Sequence, residues 1–218
     1  MFNLTHFFKK GSSRSLENTH TKGYIGYYEL TDWWHEVFTE EEKKRIIDAY
    51  KPLDSAEDNP LTEENVTGMS LSVAGFLWSL SSWFEGPNDR DIARKILQKA
   101  EEINPERGIV EDVLDKHFTL SQAIKIHYRD RKIDNYYQKA IEYCRRQIDL
   151  APQAKDSFLK KYPEQGLPSH VGYKQLVVIL DKERKWIKAI ELCKKAKQEG
   201  WSGDWDNRIA RYKAKSSR

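Results

Sequence analysis

Two five-residue words, Ala140-Ile141-Glu142-Tyr143-Cys144 and Ala189-Ile190-Glu191-Leu192-Cys193, decide how this chain is read. Each opens a longer pattern. The alanine is followed four positions on by Cys144 or Cys193, seven on by Gln147 or Ala196, and twelve on by Pro152 or Trp201. The same offsets recur upstream, from Ala93 through Leu97 and Ala100 to Pro105. Steps of four and three place such residues on one face of an α-helix. A helical unit repeated three times buries its apolar faces by stacking on its neighbours, and the stack presents a long surface. The repeat therefore bounds fold and function together without naming a ligand.

Each of these helices has a partner upstream. Leu77, Leu80, Ser81 and Phe84 share a face before Ala93, and Tyr173, Leu176, Val177 and Leu180 share one before Trp186 and Ala189. Gly86-Pro87-Asn88-Asp89 reads as the turn of the first pair, with Asn88 or Asp89 capping its second helix. In the middle unit Ile124 and Tyr128 hold the first-helix places, while His127 and Arg131 stand where apolar residues are expected. Ala93 to Ala140 spans 47 residues and Ala140 to Ala189 spans 49. The excess predicts inserted segments. One is a helix over 107–118, separated by a break at Thr119 from the first helix of the middle unit. The other is a helical turn over 156–162, ahead of Pro163, Gly166 and Pro168. A basic helix from about Trp205 to Lys215 closes the array.

The expected fold class is all-α, built of stacked antiparallel helical hairpins, in three parts. Residues 1–23, rich in Lys, Ser, Thr and Gly, read as a flexible lead-in. Residues 24–65 form an aromatic helical cap holding Tyr24, Tyr27, Tyr28, Trp33, Trp34 and Phe38. Residues 66–218 form the repeat domain with its closing helix. Within the cap, Thr31 and Asp32 suit the start of a short helix. Thr39 with Glu42 makes a capping box for a helix running to about Tyr50, before Pro52.

Hydrophobic residues at 39% and charged residues at 33% of 218 place the chain among soluble globular proteins able to bury a core. Its formal net charge of +3 hides an asymmetry. Residues 1–120 carry 14 Lys and Arg against 22 Asp and Glu, whereas residues 121–218 carry 23 against 12. Such a division suggests an anionic partner for the basic half, or contact between the halves. Cys144 and Cys193 sit at equivalent apolar positions and read as small buried hydrophobes, not as a disulfide or a metal pair. That usage fits a reducing compartment, so a cytoplasmic location is expected. The opening Met1 to Lys10 puts its apolar patch before its lysines, the reverse of a secretory signal. Residues 65–84 carry no charge, yet Thr67, Gly68, Gly75 and five serines favour a buried helix over a membrane span.

Candidate chemistry is sparse. His35-Glu36 beside Trp33-Trp34 raises the possibility of a catalytic pocket, but Thr39 stands where a zinc-protease pattern needs a second His. The six His show no ligand spacing with the two Cys, so no metal is expected. No glycine-rich phosphate cradle precedes a helix, and no cofactor is expected. The basic half is the strongest remaining feature. Lys125, Arg129, Arg131, Lys132, Arg145 and Arg146 fall in the second unit, Lys182, Arg184, Lys185, Lys188, Lys194, Lys195 and Lys197 in the third, and Arg208, Arg211, Lys213 and Lys215 in the last helix. With Tyr128, Tyr136 or Trp186 between them, these cations suit an acidic protein or a nucleic acid.

The order Tyr173, Leu176, Val177, Leu180, Trp186, Ala189, Cys193, Ala196 resembles a tetratricopeptide repeat. Leu77, Leu80, Ser81, Phe84, Ala93, Leu97, Ala100 and Pro105 match nearly as well, and the middle unit matches mainly at Ala140, Cys144 and Pro152. The resemblance covers residues 70–205. Unit lengths of 47 and 49, against about 34 in that family, mark an interrupted array. The resemblance implies a non-enzymatic scaffold that binds a protein or peptide on its first helices. The contact residues it points to are Lys125 and Arg129 in the second unit and Lys174, Gln175 and Val178 in the third. No Asn lies between His170 and Glu183, so the family's asparagine clamp for acidic tails is not carried over. The alternatives are a nucleic-acid-binding accessory protein acting through the basic half, and an enzyme using Trp33 to Glu36.

Overall fold

Ala93, Ala140 and Ala189, the small residues on which the repeat reading turns, are each 0% exposed and lie within helices. The computed structural model describes residues 21–53, 58–103, 110–133 and 135–217. Three short helices come first: α1 (Gly23–Tyr27), α2 (Thr31–Val37) and α3 (Glu40–Ala49). Next come α4 (Val73–Ser81), prolonged by a 3-10 turn over Ser82–Phe84, and α5 (Arg90–Ile103). The remainder is α6 (Val110–Arg129), α7 (Tyr136–Asp149), α8 (Ala151–Lys161), α9 (Val171–Lys182), α10 (Trp186–Glu199) and α11 (Trp205–Ser216). Among the described residues the sole β-type pairing is an isolated parallel bridge between Ser169 and Ser202. The proposed lead-in, apart from its last three residues, lies outside the described residues, as do Asn104 and Pro105.

Consecutive helices pack as pairs, α4 on α5, α6 on α7 and α9 on α10, with α11 against α10. Between pairs, α6 meets both α4 and α5, and α9 meets both α7 and α6. Leu97, Cys144, Cys193, Ala100, Gln147 and Ala196, which follow the alanines in register, are all buried. Both cysteines are free. One apolar cluster joins the N-terminal aromatics Tyr24, Trp33, Trp34, Phe38 and Tyr50 to α4, α5 and the Ala123–Ile126 turn of α6. A second joins Leu114 of α6 to Ala151, Ala154 and Phe158 of α8, and to α9, α10 and α11. Helix α6 thus borders both cores.

Three local expectations are corrected. Thr119 does not break a helix: α6 runs unbroken for 20 residues, because Thr119 is itself buried and its hydroxyl caps nothing. The insertion after the second unit is an 11-residue helix, α8, separated from α7 by Leu150 alone. Pro152 sits in its first turn, where a missing N–H costs nothing, so this proline opens a helix as well as following one. Leu30 holds the N-cap position of α2 in place of Thr31 or Asp32. The capping box at Thr39 and Glu42 is present with both of its hydrogen bonds.

The acidic and basic halves touch through buried charge. Asp130, at the end of α6, binds Arg90 at 2.5 Å and Arg94 at 2.7 Å from α5. Burial pushes its carboxyl up, but the two arginine hydrogen bonds outweigh this and hold it below the ordinary carboxylate value. Lys95 of α5 reaches Glu42 of α3 at 2.7 Å, fastening the N-terminal helices to the first pair.

Candidate interaction surface

Helix α9 sets Lys174, Val178 and Lys182 four residues apart, and that spacing lines them along one face. Helix α6 contributes Lys125 and Arg129, both exposed, with Tyr128 half-buried between α6 and α9. The Lys182 ammonium donates to the Tyr128 hydroxyl at 2.9 Å and lies 5.3 Å from the ring centroid. The Arg131 guanidinium sits 4.7 Å from the same centroid and donates to the Tyr128 carbonyl at 3.1 Å. Neither cation has an ion-pair partner among the described residues. An aromatic face holds both in place without neutralising them.

The five contact residues read from the sequence fall into two groups. Arg129 is ion-paired with Glu85 at 2.5 Å, and Lys125 lies close enough to depress the same carboxylate. These two therefore serve the joint between α6 and the turn after α4 as much as a free surface. Lys174 and Val178 are half-buried on α9, with Lys174 electrostatically coupled to Asp204. Gln175 is half-buried too, but its amide nitrogen is buried and finds no acceptor among the described residues, so that group is not presented to solvent.

Beyond Lys182 the surface opens into a cavity of about 330 Å3 lined by Arg184, Lys185, Trp186, Ile187, Lys188 and Ser216. Ile187 is 69% exposed. Its position explains this. Trp186, Ala189 and Cys193 carry the inward face of α10, and Ile187 stands off that register among lysines. Asp181 organises the floor, accepting from the Trp186 indole at 3.1 Å and from Lys215 at 2.6 Å. Burial opposes its ionisation, and these two hydrogen bonds more than restore it. A second hollow of about 460 Å3, between Tyr24, Tyr50, Pro52, Met69, Leu71 and Trp83, has an uncharged lining on the acidic half.

Beneath the α6–α9 face one buried amide ties three helices together. Gln147 of α7 donates from Nε2 to the His117 carbonyl at 2.9 Å and to the Ser121 hydroxyl of α6, and accepts from the Gly172 amide of α9 at 2.6 Å. This glutamine stands where the other two units have alanine, and a polar residue in an apolar register was the signal for it.

His35 and Glu36 are both exposed, so the catalytic reading lacks the enclosed acid–base pair it requires. His35 lines an open hollow of about 540 Å3, with Lys43 and Thr21 each 3.4 Å away, and Glu36 is not part of that lining. Among the described residues no group of three or more His, Cys, Asp or Glu is placed to hold a metal ion. No helix there is long and apolar enough to cross a membrane. No protein-family model, no curated protein and no solved structure matches the chain.

Proposed function

We propose that this chain is a helical-repeat scaffold of tetratricopeptide type that carries out no catalysis and binds an acidic segment of a protein partner. The pairing of α4 with α5, α6 with α7 and α9 with α10, and the buried alanines at the closest approaches, support the repeat reading. One observation carries the choice of ligand: the Tyr128 ring holds both Arg131 and Lys182 at the α6–α9 surface, and neither is ion-paired among the described residues. Prior ordering of two cations lowers the entropy cost of meeting an anionic chain. Lys174 and Val178 extend that face along α9. The cavity beside Trp186 and Ile187 supplies an apolar foothold within reach of Arg184 and Lys188.

The test is fluorescence anisotropy with labelled acidic decapeptides that contain one central Leu or Phe. Binding is expected for the intact protein, with a tenfold or greater loss for the Arg131→Glu, Lys182→Glu double variant. Equal affinity for wild type and the double variant would sink the reading. Tighter binding to a single-stranded oligonucleotide, with a steep salt slope, would transfer the surface to nucleic acid.

A further inference from the structure

Two histidines lie where α6, α8, α9 and the turn between α10 and α11 converge. His117 is 2% exposed and His170 is 0% exposed. Their ring centroids are 5.1 Å apart and the rings are near perpendicular. Trp201 stacks parallel to His117 at 5.8 Å and meets His170 edge-on at 4.6 Å, and Phe158 closes the third side of His117 at 5.3 Å. The Ser169–Ser202 bridge fixes the strand of chain leading to His170 against the turn that carries Trp201.

The hydrogen bonds define where the proton of His170 sits. The Tyr173 amide donates to Nδ1 of His170 at 3.3 Å, so the proton of His170 is on Nε2, and that atom has no partner. The Gln147 amide nitrogen, oriented by its other bonds, lies 3.5 Å from Nε2 of His117. Both protons of that amide are already given to the His117 carbonyl and the Ser121 hydroxyl, so it brings His117 Nε2 no third one, and Nδ1 of His117 has no partner among the described residues. Burial keeps both rings neutral, and each has one buried ring nitrogen with no hydrogen-bond partner among the described residues.

Toward an imidazolium at His170 the surroundings offer only the backbone carbonyls of Gln147 and of His170 itself, and burial outweighs them. Helix α7 presents Gln147 and Cys144, whose thiol burial pushes up to about 12. Helix α8 presents Ser157 and Phe158, and α9 presents Tyr173. The carboxylate in this network, Glu199, already accepts from the Tyr173 hydroxyl at 2.8 Å and the Trp201 indole at 3.0 Å.

We propose that the His117–His170 pair is an acid-sensitive joint: protonation of either ring releases α9 and the α10–α11 turn from α6 and α8, opening the interior between the second and third helix pairs. Burial holds His117 down at about 4. Burial, together with the neighbouring His117, holds His170 down at about 3. Once opened, both rings return to the ordinary value of 6.5. The open form then binds more protons than the closed form between 6.5 and about 4, so the closed form loses stability as pH falls through that window. From pH 7 to pH 5 the ratio of open to closed rises roughly 500-fold. His127, buried elsewhere on α6 against Tyr136 and Tyr143, is also held low by burial and adds a drift that does not act on α9.

Native-state hydrogen exchange tests this on the whole protein. Protection factors of the Tyr173 and Lys174 amides are expected to fall by about two to three orders of magnitude from pH 7 to pH 5, while those of α3 hold within a few-fold. The His117→Phe, His170→Asn double variant keeps the stack on Trp201 and an acceptor for the Tyr173 amide. In it, the fall at α9 should vanish. Persistence of the full fall in that variant overturns the proposal. If the variant does not fold, ring 15N spectra of the wild type decide. Two neutral rings, with the proton of His170 on Nε2, unchanged to pH 5, are the expected result. Titration of both rings near 6.5 in the folded protein overturns the proposal.

Discussion

Lys182 on α9 and Tyr128 on α6 are joined by a 2.9 Å hydrogen bond between side chains that lie 54 residues apart in sequence. That contact makes one surface out of two helix pairs. Replacing Tyr128 with Ala removes the ring that positions both Arg131 and Lys182, and is expected to weaken acidic-peptide binding about tenfold. The accompanying stability loss is about 1 kcal/mol. Tyr128→Phe keeps the ring and should retain most of the affinity. Anisotropy titrations and urea melts on the two variants separate these effects, and equal binding by Tyr128→Ala would remove the ring from the site.

Asp130 is 6% exposed and holds two arginines. Asp130→Asn leaves the partly buried Arg90 without its counter-charge and Arg94 with Asp91 alone, and a loss of about 3 kcal/mol is expected in chemical denaturation. Because the folded carboxyl titrates below its ordinary 3.8, this contribution is whole above that value and disappears only as pH falls below it. A pH series therefore distinguishes it from the histidine joint, which acts at milder acidity.

Arg184 has φ of 57° at the end of α9, a position where the Lys185 amide returns to the Leu180 carbonyl at 2.8 Å. Glycine adopts that conformation without strain. Arg184→Gly should raise stability by about 1 kcal/mol, and Arg184→Val should lower it. Thermal melts compare the two directly. A stabilised protein that binds acidic peptide less well would indicate that backbone strain is retained to keep a cation at the cavity.

Gly172 lets α9 approach α7. A methyl group there would stand 2.8 Å from Oε1 of Gln147 and 2.9 Å from the Cys144 carbonyl oxygen. Gly172→Ala is expected to destabilise by about 2 kcal/mol, and to raise hydrogen exchange at the start of α9. Unchanged melting would mean that the helices part to accommodate the methyl group at little cost.

The alanine register was legible because close helix packing needs small side chains at regular offsets, and Ala93, Ala140 and Ala189 are sealed as that register requires. The capping box was legible because its two bonds join residues three apart. Other features had no local signal. Thr119 looks like a helix start by residue type, and only its burial against neighbouring helices keeps α6 continuous. Pro152 has two helical roles, and sequence alone does not choose between ending α7 and opening α8. His117 and His170 are brought together by the packing of α8 and the α10–α11 turn, which no spacing rule describes. Among the contact residues, Lys174 and Val178 fall on the expected face, whereas periodicity does not report that Gln175 points its amide inward.

Ser216, the last residue of α11, forms part of the lining of the cavity beside Trp186. A fluorophore or surface tether attached at Ser216 would shade the apolar foothold and compete with any guest that docks there. A mismatch in measured affinity between the labelled and the unlabelled protein would itself report where the guest lies.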